Sequence, residues 1–181
     1  EDRFATNLAI LKEANVNSEE ILVCSGYGFA DSLSASASGR PILLVGDALS
    51  DEQKAFLKDI NSIKFAIIGG YRTIGSATED WLNSTGNTTR VFGADRYETS
   101  VAIAKYFFNK PNSVVLSYGD NFPDGLCGGV LAERRGAPMI LINENNLDYA
   151  REYVKANSIK DLLVLGGSRL ITDAAISIIG D

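Results

Sequence analysis

Ile21-Leu22-Val23-Cys24 is an apolar run without polar alternation, and Val114-Val115-Leu116 has the same character in the second half of the chain. Such a run is typical of a strand that is buried on both faces of a parallel sheet. Two more runs follow each of them: Pro41 to Val45 and Phe65 to Ile68 in the first half, Pro138 to Ile142 and Leu162 to Leu165 in the second. Each half of the chain therefore predicts three buried strands.

Helical patterns lie before and between these runs. Phe4, Leu8 and Leu11 recur at helical spacing and form one apolar face. The stretch Ser50 to Gln53 has the spacing of a capping box, in which the two end side chains satisfy free amide groups of a first helical turn. Buried strands that alternate with helices are wound by right-handed crossovers. The predicted fold class is therefore α/β, with small parallel sheets covered by helices.

The sequence repeats itself. Asp2-Arg3-Phe4-Ala5-Thr6 returns as Asp95-Arg96-Tyr97-Glu98-Thr99, and further motifs keep the same order and nearly the same spacing. The matched residues are Gly26, Phe29, Asp31 and Leu33 with Gly119, Phe122, Asp124 and Leu126; Gly39 and Pro41 with Gly136 and Pro138; and Gly69, Gly70, Arg72 and Ile74 with Gly166, Gly167, Arg169 and Ile171. We therefore predict two tandem units, residues 1–87 and 88–181.

The polar, turn-rich stretch Asn83 to Thr89 is predicted to be the linker between the two units. The stretch Arg90 to Gly93 precedes the second Asp-Arg pair, whereas the first pair begins at residue 2. The first repeat is therefore predicted to be clipped at its start.

Composition excludes several classes of function. The formal net charge is −6 and the pI is about 4.7, which argues against a general attraction to nucleic acid or an anionic membrane. Histidine is absent, so Ser-His-Asp and Cys-His nucleophiles and His-containing zinc sites are excluded. No apolar run reaches the roughly 18 residues of a membrane span. Cys24 and Cys127 are predicted to be buried and unpaired rather than joined in a disulfide.

Asp31 and Asp124 each follow a predicted strand and stand where a helix is expected to start. A carboxylate there can cap the helix by accepting amide hydrogens that lack a partner. It can also face a ligand, because open α/β folds bind ligands at the carboxyl edge of the sheet. Both interpretations are retained, and both aspartates are candidate ligand-binding residues.

Gly69-Gly70 and Gly166-Gly167 follow the third strand of each unit, and Arg72 and Arg169 follow them. Backbone amides and a guanidinium can form a small corner that accepts an anion. A close backbone approach at a tight turn explains the glycines equally well. These residues are therefore candidate ligand-binding residues as well.

Arg3 and Arg96 are the last two candidates for ligand binding. Each can present a planar fork to ligand oxygens, or can form an ion pair that holds one repeat against the next. Gly26-x-Gly28 lies where a phosphate-binding loop would sit, but the second copy has Asp120, whose carboxylate would repel phosphate. A tight strand-to-helix turn is the preferred interpretation of that loop.

The ordered set of motifs resembles a known family. Asp-Arg-(Phe/Tyr)-x-Thr, Gly-x-x-Phe-x-Asp-x-Leu, Gly-x-Pro and Gly-Gly, each present twice, are similar to the type-2 cell-wall-binding repeat of Gram-positive surface proteins, notably clostridial ones. The stretches Arg90 to Thr99 and Asn121 to Leu126 carry the likeness most strongly. The resemblance covers nearly the whole chain.

This resemblance implies a non-enzymatic module that anchors an extracellular protein non-covalently at the cell wall or cell surface. The implied partner is an anionic wall polysaccharide or a teichoic-acid-like polymer, with no cofactor and no metal. Family repeats look like small Toprim-like or Rossmann-like units, and three usually pack around a pseudo-threefold axis. We therefore expect a third repeat to come from a missing segment or from self-association.

Two other functions remain open from the sequence. A Toprim-like or nucleotide-binding enzyme would use Asp31, Asp120 and Asp124 with magnesium for phosphoryl transfer. A module of a surface layer would instead contact other proteins. Only one aspartate of the loop is equivalent in the two copies, Asp31 in the first and Asp124 in the second. A scaffold shared by both repeats explains this better than a catalytic cluster of carboxylates does.

Overall fold

The computed structural model describes residues 2–60 and 64–181. Over these residues, eight helices alternate with seven strands. The residues pack into two compact units. The first takes in the described residues up to Ser32 and those from Arg40 to Val91, and the second takes in Leu33–Gly39 and Phe92–Asp181.

The first unit is built on a four-stranded parallel sheet, in which the strands lie in the order Ile42–Val45 (β2), Glu20–Ser25 (β1), Lys64–Ile68 (β3) and Asn87–Val91 (β4). Apolar residues inside its central strands are almost wholly buried, such as Ile21 and Val23 of β1. The elements are α1 (Arg3–Glu13), β1 (Glu20–Ser25), α2 (Ala30–Ser36), β2 (Ile42–Val45), α3 (Asp51–Asp59), β3 (Lys64–Ile68), α4 (Ser76–Thr85) and β4 (Asn87–Val91).

The second unit is built on a parallel sheet, in which the described strands lie in the order Met139–Ile142 (β6), Ser113–Tyr118 (β5) and Asp161–Leu165 (β7). Residues 33–39, which hold the second half of α2, pack with this unit. Its other elements are α5 (Arg96–Phe107), β5 (Ser113–Tyr118), α6 (Gly128–Arg135), β6 (Met139–Ile142), α7 (Asp148–Asn157), β7 (Asp161–Leu165) and α8 (Asp173–Gly180).

The predicted fold class is confirmed: the chain is α/β, with two units that each hold a small parallel sheet and flanking helices. The apolar runs are buried because helices cover both faces of a parallel sheet. Val114, Val115 and Leu116 of β5 are fully buried, as are Leu22 and Val23 of β1. None of the described helices has both the length and the apolar character that crossing a membrane requires.

The expectation of a linker at Asn83 to Thr89 is wrong. Helix α4 continues to Thr85, and β4 begins at Asn87 and pairs in parallel with β3. Threonine favours strands, and the alternating exposure of β4 is that of an edge strand with one solvated face, so its polarity does not indicate a loop here. The boundary between the two repeats, placed between residues 87 and 88, remains a prediction.

The two cysteines differ from expectation in one respect. Both are free, and Cys24 is fully buried on β1, but Cys127 is exposed. Cys127 stands just before α6 rather than inside a covered helix. Burial, and to a smaller extent the nearby carboxylate of Asp31, raise the pKa of the Cys24 thiol.

The predicted capping box at the start of α3 is confirmed. Gln53 donates its backbone N–H to Ser50 Oγ at 3.2 Å, and Ser50 donates its backbone N–H to Gln53 Oε1 at 3.1 Å. The same glutamine donates Nε2 to the Leu44 carbonyl at 2.8 Å, which ties α3 to the end of β2.

We predict that Ser50→Ala lowers the free energy of unfolding by about 1 kcal/mol, because one amide of the first turn of α3 loses its acceptor. Ser84→Ala is the control, since that hydroxyl is exposed and donates only to the Trp81 carbonyl of its own helix. Denaturant titration followed by circular dichroism measures both. Equal losses in the two variants would contradict the prediction.

Candidate functional site

The Asp-Arg pair at the start of the first repeat fixes α1 to the sheet. Asp2 Oδ1 accepts the backbone N–H groups of Phe4 and Ala5, both at 2.9 Å, and is therefore the N-cap of α1. Arg3 Nη1 donates to the Gly26 carbonyl at 2.7 Å, just beyond the end of β1. One residue thus starts the helix, and the next holds it at the carboxyl edge of the sheet.

The second repeat makes the same contacts. Asp95 Oδ1 accepts the N–H groups of Tyr97 and Glu98 at 2.9 Å, and Arg96 Nη1 donates to the Gly119 carbonyl at 2.7 Å. Both candidate arginines therefore commit one N–H group to a carbonyl of their own unit. This local bond accounts for the position of the arginine within the motif.

The aromatic residue of the motif packs against the glycine that ends the strand. A Cβ atom on Gly119 would lie 2.6 Å from Tyr97 Cε1, and one on Gly26 would overlap the Phe4 ring. Any side chain at these glycines would therefore displace the ring. The spacing from aromatic residue to glycine is a packing requirement in both repeats.

The structure brings each candidate aspartate together with a candidate glycine. A Cβ atom on Gly69 would lie 2.9 Å from Asp31 Oδ2, and one on Gly166 would lie 2.8 Å from Asp124 Oδ2. Both glycines have a φ of +120°, which residues with a Cβ rarely adopt. A carboxylate therefore lies against the Gly-Gly turn at the carboxyl edge of each sheet.

The capping interpretation is wrong for Asp124. Helix α6 begins at Gly128, and its N-cap, Cys127, makes no side-chain cap bond. Asp124 lies in the turn before the helix, whereas Asp31 is the second residue of α2. The loop in the second copy contains more turn residues, so its helix starts later than the sequence match suggests.

Each Gly-Gly pair forms a tight turn. The Gly70 carbonyl accepts the N–H group of Ile74 at 3.0 Å, and the Gly167 carbonyl accepts that of Ile171 at 3.2 Å. Arg72 and Arg169 are exposed in these turns. Neither makes a hydrogen bond or ion pair within residues 2–60 and 64–181. They are cationic groups with open donors at the carboxyl edge of each sheet.

Sequence reasoning missed the role of Arg90. It is the penultimate residue of β4, and its side chain is only 5% exposed. Its Nη1 donates to the Gly69 carbonyl at 2.8 Å, Nη2 lies 3.1 Å from Glu79 Oε2, and its guanidinium lies 4.1 Å from the Tyr71 ring centroid. A basic residue in an otherwise uncharged strand was the available signal.

A polar cluster in the second unit was also missed. Tyr97 Oη donates to Asp120 Oδ1 at 2.5 Å, and Asn143 Nδ2 lies 2.7 Å from Tyr97 Oη and 2.8 Å from Asp120 Oδ2. The hydrogen bonds from Tyr97 and then Asn143 lower the pKa of Asp120. Burial and the bond to Asp120 raise the pKa of Tyr97. Asp120 is thus an anion held in place.

The first unit has a cavity of ≈ 490 Å³ at the matching position. Phe4, Tyr27 and Gly46 stand there in place of Tyr97, Asp120 and Asn143. The two rings meet edge to face, with centroids 5.5 Å apart. The lining of the cavity includes Asp2, Phe4, Leu8, Tyr27, Gly46, Asp47 and Asp51.

The magnesium-dependent alternative requires a cluster of carboxylates that can hold the ion. Among the residues that the structure describes, no group of three or more His, Cys, Asp or Glu side chains is placed to hold a metal ion. In the second unit, Asp120 bonds to Tyr97 and Asn143, whereas Asp124 lies against Gly166. These two carboxylates make separate contacts.

The two α/β units and the carboxyl edges of their sheets define a duplicated binding scaffold. Comparison with known proteins gives its family. The pattern of the family described as Cell wall binding domain 2 (CWB2) matches residues 1–79 and 90–176. The chain belongs to this family, as the resemblance of its motifs predicted. It is a cell-wall-binding module of a surface or cell-wall protein.

Two proteins of Bacillus subtilis (strain 168) are similar in sequence. The N-acetylmuramoyl-L-alanine amidase LytC is 26% identical over 179 residues, which cover 95% of this chain and 36% of LytC. An amidase enhancer is 27% identical over 141 residues, covering 75% of this chain and 19% of the enhancer. The chain thus spans about a third or less of these relatives.

Two solved structures from Clostridium difficile are similar in fold. Cwp6 has a TM-score of 0.81 and 26% sequence identity, over 98% of this chain and 30% of Cwp6. Cwp8 has a TM-score of 0.82 and 24% identity, over 99% of this chain and 32% of Cwp8. The whole α/β arrangement of this chain therefore recurs as part of longer proteins.

We predict that Gly166→Ala lowers the free energy of unfolding by about 1–3 kcal/mol, because alanine is strained at a φ of +120° and its Cβ would meet Asp124. Gly167→Ala is the matched control, since a Cβ there would meet nothing within 4 Å. Thermal unfolding compares the two variants. A control as unstable as Gly166→Ala would show that the positive φ is not the cause.

The lowered pKa of Asp120 gives a pH prediction. Its charged form stabilises the fold above the usual carboxyl pKa of 3.8, and this contribution is lost as pH falls through the lower folded value. The stability difference between the wild type and Asp120→Asn should therefore be constant near neutral pH and shrink below pH 3.8. Urea unfolding across pH measures it, and a difference independent of pH would contradict this assignment.

Proposed function

We propose that this module holds its parent protein at the wall non-covalently, by binding an anionic wall polysaccharide or teichoic-acid-like polymer, and that it has no catalytic activity of its own. The observation that carries the proposal is the pair of exposed arginines, Arg72 and Arg169, at equivalent turns of the two units. A guanidinium with open donors is suited to phosphate and carboxylate groups.

The surroundings of these arginines support anion binding at each sheet edge. Gly69-Gly70 and Gly166-Gly167 form the turns that carry Arg72 and Arg169, and we propose that a ligand oxygen binds beside the guanidinium at these turns. The carboxylates of Asp31 and Asp124 lie on the glycines of the turn. In this proposal they orient hydroxyl groups of the sugar while the arginine takes the anionic group.

Arg3 and Arg96 have a different part in the proposal. Each donates Nη1 to a strand-end carbonyl, so the side chain is held at the same carboxyl edge. Arg3 and Arg96 are exposed residues, and a guanidinium has five donors. We propose that they add positive charge near the polymer while they fix the first helix.

The net charge makes the interaction local. At −6 the whole chain repels a polyanion, so attraction must come from arginines within a few ångströms of the ligand. Charge interactions in solution are screened over a Debye length of about 8 Å at physiological ionic strength. Wall retention should therefore fall as salt is raised.

Family membership favours binding over the magnesium-dependent alternative. The chain spans only part of the length of its relatives. We therefore propose that any activity of the parent protein resides in other segments. We further propose that a third repeat, from another segment or from a second copy, associates with the two units described here.

We predict that Arg72→Gln combined with Arg169→Gln reduces retention on purified Gram-positive walls about tenfold or more, because each lost charged hydrogen bond contributes roughly 1.5–3 kcal/mol and 1.4 kcal/mol is a factor of ten. Sedimentation of walls with labelled protein, from low to high salt, measures retention. The double variant should also show a weaker salt dependence.

The control for this experiment removes the same charge elsewhere. Lys12 and Lys105 lie in the last turns of α1 and α5, and the carboxyl ends of these helices lie at the opposite edge of each sheet. Lys12→Gln combined with Lys105→Gln should leave retention unchanged. A folded arginine double variant that binds as well as this control would remove Arg72 and Arg169 from the site.

A further inference from the structure

The turn between β5 and α6 contains a dipeptide that occurs nowhere else in the chain. Asp124-Gly125 is the one place where glycine directly follows an aspartate or an asparagine. Both residues lie in the turn that precedes Gly128, the first residue of α6. Asp124 is exposed and Gly125 is buried. Glycine puts no side chain beside the peptide bond that joins the pair, so the carboxyl group of Asp124 has open access to the next backbone nitrogen.

The backbone nitrogen of Gly125 is not committed to the hydrogen bonds of the turn. The Gly125 carbonyl accepts the N–H group of Gly128 at 2.9 Å, and Leu126 donates its N–H group to the Pro123 carbonyl at 3.4 Å. The N–H group of Gly125 itself donates to no acceptor within residues 2–60 and 64–181. This nitrogen can therefore react without breaking a hydrogen bond of the fold.

The carboxylate of Asp124 is equally uncommitted. Its Oδ2 lies against Gly166, where a Cβ atom would be 2.8 Å away, but this contact offers it no donor. In the part of the chain that the structure describes, the carboxylate accepts no hydrogen bond and joins no ion pair. Asp120, four residues earlier, is instead held by Tyr97 and Asn143. Asp124 thus combines a free carboxyl group with a free neighbouring nitrogen.

Packing explains why glycine follows this aspartate. A Cβ atom on Gly125 would lie 2.7 Å from Ser117 Oγ and 2.8 Å from Leu33 Cδ2. Ser117 is fully buried on β5, so it has little room to move away. The fold therefore requires at position 125 the residue that least hinders a reaction between the Asp124 carboxyl group and the backbone.

The equivalent aspartate of the first unit has different surroundings. Asp31 is the second residue of α2 and is followed by Ser32. The serine side chain crowds the following nitrogen. Ring closure also turns that nitrogen toward the carboxyl carbon of the aspartate, and the backbone angles of a helix oppose this rotation. Asp31 is therefore an internal comparison for Asp124 within the same chain.

We propose that Asp124-Gly125 is a site of spontaneous covalent modification, at which the aspartate converts to isoaspartate. The Gly125 nitrogen attacks Cγ of the protonated Asp124 carboxyl group. A C–N bond forms, a C–O bond breaks, and the hydroxyl group leaves with the amide proton as water, which gives a five-membered imide. Water then adds to the backbone carbonyl of the imide and breaks its C–N bond, so that the chain continues through the former side chain.

The modification would change the turn without changing its charge. The chain path through residue 124 gains one carbon atom, and the carboxylate that remains is attached directly to Cα. This carboxylate no longer reaches Gly166 in the same way, and the longer path displaces Gly125 from its fit against Ser117 and Leu33. The second unit would age in this manner while Asp31 in the first unit stays intact. The inference goes beyond polymer binding and does not depend on it.

The test follows isoaspartate in the folded protein during incubation at neutral pH and physiological temperature. Isoaspartyl methyltransferase with a labelled methyl donor gives the total, and electron-transfer mass spectrometry locates the residue. A parallel sample unfolded in urea gives the rate without structure. We expect the rate at Asp124 in the folded chain to lie within about threefold of its rate in urea, and the rate at Asp31 to fall at least about tenfold below its own rate in urea.

A matched pair of variants gives a second readout. Asp124→Asn and Asp31→Asn form the same imides with loss of ammonia, so each conversion to the acid raises the mass of the intact protein. Each folded rate is divided by the rate of the same variant in urea, which cancels the intrinsic difference between a following glycine and a following serine. We expect only Asp31→Asn to be protected by folding.

Asp124→Glu is the control for the position of the site. Glutamate keeps the carboxyl group but would have to close a six-membered ring, so the methyl label should fall to background in the folded protein. Undiminished label in this variant would show that the modified residue is elsewhere.

The proposal is overturned if isoaspartate at Asp124 forms at least about tenfold more slowly in the folded chain than in urea, because the turn would then protect the pair. Equal protection of Asp124→Asn and Asp31→Asn would also contradict it. The readout is the covalent structure of the chain, so this result is independent of wall retention.

Discussion

The hydrogen bond from the motif arginine to the carbonyl at the end of the central strand is the constraint on which each unit depends. It measures 2.7 Å in both units, from Arg3 to Gly26 and from Arg96 to Gly119. Because the preceding aspartate caps the same helix, two adjacent residues set both the start of the helix and its position at the sheet. The Gly-Gly turn and the candidate ligand-binding residues lie at the edge that this bond defines.

Much of the architecture could be predicted from the sequence because its signals are local. Apolar runs mark strands buried on both faces, and the capping box marks α3. The repeated motifs give the duplication, and their family membership follows from the same residues. These features depend on neighbours within a few positions, where chain order and spatial order agree.

The misses at β4 and Arg90 involve contacts between distant segments. Strand β4 has a polar sequence, and it is a strand only because the β3 edge is available to it. Arg90 is defined by partners from the β3 turn and from α4, so no short motif contains the group. Cys127 and Asp124 were misplaced because the loop before α6 differs from its counterpart before α2. Packing decides the first two of these, and the local sequence of the loop decides the third.

The pair Gly46 and Asn143 shows what the duplication permits. Asn143 joins a hydrogen-bonded cluster in the second unit, whereas its counterpart Gly46 lines a cavity of ≈ 490 Å³ in the first. Neither residue takes part in the bonds from Arg3 to Gly26 and from Arg96 to Gly119 that join helix to strand. Selection can therefore alter the chemistry presented by one copy while the other keeps its own, so a duplicated scaffold can acquire two ligand preferences without any change to its framework.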